Sequence, residues 1–159
     1  MKPNSTAKEQ SLHPEASATL HLQATTTEPV AAELDERILL ALSAAAEKKA
    51  IGTVVLDLRE IATFTDYFVI TSGSNERQVQ AISDELVETL KQSGTPAARV
   101  EGYKTAEWIL VDYGDFVVHI FHEQSRKFYD LERLWRAARP VALPAELVSD
   151  AGSSLRNEA

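Results

Sequence analysis

The sequence predicts an α/β fold, a mixed sheet of roughly five strands packed with helices. Three observations predict it. Short apolar runs rich in β-branched and aromatic residues alternate with stretches whose apolar residues recur every three or four positions. The run Thr53 to Leu58 (TVVLDL) is apolar almost throughout, as a strand covered on both faces requires. From Trp108 to Phe121, two alternating runs flank a glycine, the pattern of an antiparallel hairpin.

The elements follow in order. A first helix is expected from Ala32, with Leu34, Ile38, Ala41, Leu42 and Ala45 on one face. Lys48 and Lys49 would lie in its last turn, at the negative end of the helix dipole, and Gly52 would stop it. The strand Thr53–Leu58 is interrupted by Asp57, read as a hydrogen-bonded residue near the strand end rather than a catalytic one. Tyr67 to Thr71 forms a second strand. Ser72-Gly73-Ser74-Asn75 supplies a turn and helix caps. The next helix buries Val79, Ile82, Leu86 and Leu90 and ends at Ser93-Gly94, and Pro96 prevents its resuming. Ala97 to Glu101 reads as a short third strand, broken by Gly102. The helix before it allows a parallel crossover joining the second and third strands.

The hairpin places Trp108, Leu110 and Asp112 on one face and Ile109, Val111 and Tyr113 on the other, with Tyr113-Gly114 at the tip. Phe128, Leu131, Leu134 and Trp135 then form one stripe of an amphipathic helix that folds back on the sheet. Phe128 and Trp135 are expected in the core, and Glu132 and Arg136 as a solvated i,i+4 pair.

Residues 1–32 are rich in Ser, Thr, Ala and Pro, without periodicity, and are expected to be a disordered N-terminal extension. They lack the apolar core of a secretory signal. They also lack Arg and carry Glu9, Glu15 and Glu28, unlike a mitochondrial transit peptide. Beyond Arg139 the pattern fades at Pro140 and Pro144, so residues 139–159 are expected to be a largely disordered tail with at most one or two weak turns in LPAELV. Residues 33–138 remain as one α/β domain.

Composition narrows the chemistry. The net charge of −8 argues against a non-specific grip on nucleic acid, which needs many cations to neutralise phosphates. No cysteine is present, which excludes disulfides, thiolate metal sites and a cysteine nucleophile. No run approaches the ~18 apolar residues of a membrane span.

Ser72-Gly73-Ser74 lies between a strand and a helix, where backbone N–H groups could cradle an anion, but it lacks the Walker lysine and the GxGxxG spacing. The turn resembles that of nucleotidyltransferases, a class that holds metal ions on paired strand carboxylates. Here Asp84 and Glu85 fall inside a helix, about 100° apart, and the third strand offers only Glu101. The expected fold is therefore nucleotidyltransferase-like without the catalytic carboxylates: not an enzyme, with no cofactor and no metal. His119 and His122 point to opposite faces of a strand, so they cannot share one ion unless the strand ends between them. His119 shares a face with Val117 and Phe121, and is either packed on that face or part of a partner contact.

Trp108, Tyr113, Phe116, Phe121, Phe128, Tyr129 and Trp135 are more aromatics than one core easily needs, so a protein-binding patch is a fair inference. Two long motifs sharpen this. The run Trp108-Ile-Leu-Val-Asp-Tyr-Gly-Asp-Phe-Val-Val-His-Ile-Phe-His122 leads to Arg126-Lys-Phe-Tyr-Asp-Leu-Glu-Arg-Leu-Trp135. Upstream stands Thr65-Asp-Tyr-Phe-Val-Ile70, then Ser72-Gly-Ser-Asn-Glu-Arg77. Over roughly residues 34–137 the chain closely resembles the ribosomal silencing factor family (RsfS, also iojap or YbeB).

The resemblance implies a cytoplasmic translational repressor. It would bind the large ribosomal subunit on that subunit's fourteenth protein, and sterically block joining of the small subunit when nutrients are scarce. Its acidity suits a basic ribosomal protein rather than RNA. No sequence-specific nucleic-acid contact and no membrane contact is expected. Some relatives self-associate, so a homodimer is among the implied partners. Carried over by residue, the contact patch is Trp108, Asp112, Tyr113, His119, Phe121 and Tyr129, with Trp108 the firmest. Tyr113 departs from the aliphatic residue common in the family. The alternatives are a nucleotidyltransferase-like enzyme and an interaction adaptor with another partner.

Overall fold

The computed structural model describes residues 34–147. What is expected of residues 1–33 and of 148–159 lies outside the described residues. The chain forms α1 (Glu36–Glu47), β1 (Ile51–Asp57), β2 (Tyr67–Gly73), α2 (Glu76–Gln92), β3 (Arg99–Glu101), β4 (Trp108–Asp112) and β5 (Phe116–His122). Then come α3 (Glu123–Tyr129), α4 (Leu131–Leu134), β6 (Arg139–Pro140) and a 3₁₀ turn at Ala145–Leu147. The expected α/β fold with a mixed sheet is observed, with six strands rather than about five, in the order β3-β4-β5-β2-β1-β6.

Helix α1 starts after Asp35, so Leu34, expected on its apolar face, precedes it; Ala32 lies outside the described residues. The Asp35 carboxylate accepts the Arg37 backbone N–H at 2.8 Å, and its own backbone is not helical. At the other end the helix is already finished at Lys48, and Lys49 takes a positive φ of 61°. Gly52 is therefore not the stop. It sits inside β1 at φ 60°, where the β1–β2 register shifts between Ile51 and Val54.

β1 pairs antiparallel with β2, β2 pairs in parallel with β5, and β3 and β4 continue antiparallel from β5. β2 and β3 do run parallel and are joined through α2, as the sequence allows, but they are not ladder neighbours: the parallel partner of β2 is β5. The crossover through α2 carries the chain past two strand positions to the sheet edge, and the β4–β5 hairpin fills the gap. The hairpin turn is also one residue later than expected. Tyr113 N–H donates to Phe116 C=O at 2.9 Å, which makes Gly114-Asp115 the two-residue loop, with Gly114 at φ 88°.

The strands' two-residue period divides the core in two. On one face, Val55, Val69, Ile109, Val111, Phe116, Val118 and Ile120 pack beneath α1 and α2. The opposite face carries Leu56, Phe68, Ile70, Val117 and Phe121, packed with Leu131 and Ala138 from the segment after β5. The stripe expected as one helix is two. At Asp130 the backbone turns left-handed (φ 49°, ψ 54°), ending α3 and starting α4 in a new direction. Leu131 is buried and Trp135 partly so, but Phe128 is 79% exposed and Leu134 73%. The placement of Phe128 in the core is therefore wrong. The Glu132–Arg136 pair is absent too. Glu132 instead binds Arg126 at 2.6 Å, and Arg126 donates on to Ser72 Oγ at 2.9 Å, tying α3 to the sheet.

Past Arg139 the chain adds an edge strand. Leu56 pairs with Pro140 and Asp57 with Arg139, and Val141 N–H donates to Val55 C=O. Pro140 at an edge costs the sheet nothing, because its missing N–H faces away from the ladder. Asp57 behaves as expected for a strand-end carboxylate: Arg59 binds both of its oxygens at 3.0 and 2.8 Å and holds its pKa below the usual range.

Candidate functional site: an aromatic face on the sheet

The face opposite α1 and α2 is covered only in part. Alternation along β4 and β5 brings Trp108, Leu110, His119 and Phe121 onto it, with Phe68 from β2 beside them. The left-handed turn at Asp130 brings Tyr129 and Trp135 over the same surface. The result is a continuous run of rings. Trp135 lies 5.5 Å from Phe68, Phe68 4.4 Å from His119, Trp108 4.9 Å from Phe121 and 4.8 Å from Tyr129. Phe64 extends one end, 5.8 Å from Trp135, and Phe128 the other, 4.9 Å from Tyr129. Tilted and edge-on geometries dominate, as ring quadrupoles favour. Phe64, Tyr129 and Phe128 are exposed and Trp108 is half-buried, so this run rises from a packed floor to an open rim.

His119 fixes the centre of this floor. It is 4% exposed, and its Nδ1 accepts the Trp108 indole Nε1–H at 3.1 Å. An indole nitrogen can only donate, so Nδ1 carries no proton and the neutral ring holds it on Nε2. Nε2 is buried without a hydrogen-bond partner among the described residues. Burial pushes the His119 pKa down to about 4, so the ring is neutral at pH 7.

The six residues expected in the contact patch separate into three groups. Trp108 and Tyr129 stand at the surface of the aromatic face. His119 and Phe121 lie buried beneath them and shape that surface without reaching solvent. Asp112 lies on the same sheet face but two strand positions beyond Leu110, at the hairpin tip, and Tyr113 lies on the other face. The Asp112 carboxylate accepts the Gly114 N–H at 2.8 Å and an Arg99 N–H at 3.1 Å, which stabilises the hairpin tip. Tyr113 points to the helix-covered face, 8% exposed, stacked 4.9 Å from Phe116, and burial raises its hydroxyl pKa to about 12. A shared surface with Trp108 is closed to it by strand alternation. The sequence reading missed Phe64 and Phe68. Phe64 lies in the connection from β1 to β2, where no periodicity marks it; an aromatic amid turn residues is the only available signal.

The Gly-Ser turn does not form an empty cradle. Ser72 and Gly73 complete β2, Asn75 caps α2, and the Gln78 side chain fills the space. Gln78 Oε1 accepts from Ser74 N–H at 2.7 Å, and Nε2 donates to the carbonyls of Lys48 and Lys49. His122 caps α3 by accepting the Gln124 N–H, away from His119. Among the described residues no three His, Asp or Glu side chains converge as metal ligands, and no helix is long and apolar enough to cross a membrane.

Residues 31–158 match the family model described as ribosomal silencing factor during starvation. The chain belongs to the ribosomal silencing factor family. It is 44% identical over 108 residues to the ribosomal silencing factor of Halalkalibacterium halodurans, covering 68% of this chain and 92% of that one. The Bacillus subtilis silencing factor is 40% identical over 111 residues, covering 69% and 93%. The fold also matches a crystal structure of a Chromobacterium violaceum protein, with TM-score 0.62 and 33% identity over 63% of this chain and 83% of that one.

Proposed function

We propose that this protein is a ribosomal silencing factor of the cytoplasm. It docks through the aromatic face on the large ribosomal subunit, at that subunit's fourteenth protein, and blocks joining of the small subunit under nutrient limitation. Family membership supports the silencing role. The observation that carries the docking surface is the unbroken aromatic run with Trp108 and Tyr129 at its open side. Aromatic side chains that are rigidly held and partly exposed are the usual anchors of protein interfaces.

Silencing by occupancy needs no catalysis, and the Ser74 N–H that a phosphate would need at that turn is already bound by the Gln78 side chain. Acidic character elsewhere on the chain favours encounter with a basic ribosomal protein. Co-sedimentation with purified large subunits tests the docking surface. Wild-type protein should pellet with them and Trp108→Ala should remain largely in solution. Equal pelleting of both, with the variant folded, would remove the aromatic face from the interface.

A further inference from the structure

Charge on this acidic chain is unevenly placed. Residues 126–139 hold five Arg or Lys and two acids, a local net charge of +3 on a chain whose total is −8. Folding segregates this charge further. Glu132 is taken up by Arg126 at 2.6 Å, and Asp57, the ladder partner of Arg139, by Arg59 at 2.8 Å. Lys127, Arg133 and Arg136 are exposed, and none has an acidic partner among the described residues. The break at Asp130 also sends two apolar side chains outward. A continuous helix would have faced Phe128 and Leu134 to the sheet, yet among the described residues they are the most exposed large hydrophobics. Phe128, Tyr129, Arg133, Leu134 and Arg136 line a shallow cleft of about 580 Å³ with Asp130 as its one carboxylate, and Lys127, next to Phe128 in the chain, lies outside that lining.

We infer that this α3–α4 surface binds RNA on the large subunit, with Lys127, Arg133 and Arg136 on phosphates and a base stacked on Phe128. The inference rests on the proposed docking, because Tyr129 belongs both to the aromatic face and to this cleft. Unpaired cations interleaved with an exposed ring are the elements of sequence-independent single-strand binding. A basic ribosomal protein would be repelled by such a patch, whereas ribosomal RNA supplies the dense negative charge that complements it. The chain would then meet a composite surface, protein at Trp108 and RNA at Phe128. Its overall acidity speaks only against a non-specific grip by the whole molecule.

Two measurements on the full chain test this. The first follows binding to purified large subunits across monovalent salt, for wild type and for the triple variant Lys127→Gln, Arg133→Gln, Arg136→Gln. Each phosphate contact contributes roughly 0.7–0.9 to the slope of log affinity against log salt. The triple variant should therefore lose about 2–3 from that slope, with an affinity loss of about tenfold or more at low salt. The second places a benzophenone amino acid at position 128, irradiates the complex, and asks whether the crosslink is removed by ribonuclease. Crosslinking to RNA is expected. An unchanged slope, or a crosslink carried only by protein, overturns the RNA assignment and leaves the docking intact. Failure of wild-type protein to bind large subunits at all would remove the docking reading and this inference together.

Discussion

The indole of Trp108 donates its Nε1–H to Nδ1 of His119 at 3.1 Å, from one strand of the hairpin to the other. A half-exposed anchor is thereby held by a buried, neutral imidazole. The bond fixes the orientation of the Trp108 ring before any partner arrives, and ordering a side chain in advance lowers the entropic cost of binding.

This arrangement makes stability pH-dependent in a defined window. His119 titrates near 4 in the folded chain against an unfolded value near 6.5. The unfolded state binds the extra proton, so stability is fully present above pH 6.5 and falls as pH drops toward 4. The loss at the low end is up to about 3 kcal/mol. Asp35 and Asp57 are shifted downward as well, but their stabilisation is lost only below the ordinary carboxylate range. Urea denaturation at pH 7 and at pH 4.5 should show the decline in wild type and a flatter profile in His119→Gln.

Replacement of Trp108 by Ala should weaken large-subunit binding by ~2–4 kcal/mol, the cost of losing a central aromatic anchor. The variant should still unfold cooperatively, because the helix-covered core does not include this side chain. Circular dichroism alongside the binding titration separates the two effects.

Gly102 and Gly114 both have positive φ, 81° and 88°, but they differ in surroundings. A Cβ at Gly102 would drive into the Trp108 carbonyl oxygen, while one at Gly114 would meet open space. Gly114→Ala should cost about 1 kcal/mol of backbone strain, and Gly102→Ala about 3 kcal/mol or more. Denaturation midpoints that do not differ would show that the β3–β4 connection yields to the added methyl.

Arg126 joins α3 to the ends of β1 and β2 through Ser72 Oγ and the Ile51 carbonyl, and to the next helix through Glu132. Arg126→Ala should destabilise by about 2 kcal/mol, since charged hydrogen bonds at a part-buried site are lost. Amide exchange should rise in residues 123–135 more than in α2.

Much of this was legible in the sequence because periodicity is a direct consequence of burial. The stripe Val79, Ile82, Leu86, Leu90 is fully buried as its spacing requires, and alternation placed Trp108 and Tyr113 on opposite sheet faces. Grouping those two in one patch went against that same alternation. The break at Asp130 was not legible. The apolar spacing runs through it uninterrupted, and an Asp in left-handed backbone carries no signal as strong as Gly. β6 was hidden for another reason: a two-residue edge strand containing Pro has no period to read. The expected one-residue-earlier hairpin turn arose because Tyr113-Gly114 and Gly114-Asp115 both place Gly in the loop, and only the Tyr113–Phe116 backbone bond distinguishes them.

The most direct test of the account is subunit joining. Purified large subunits are preincubated with the protein, small subunits are added, and formation of whole ribosomes is followed by light scattering. A dose-dependent block is expected, weakened by Trp108→Ala and absent when the two subunits are joined beforehand. Normal joining at saturating protein would contradict it.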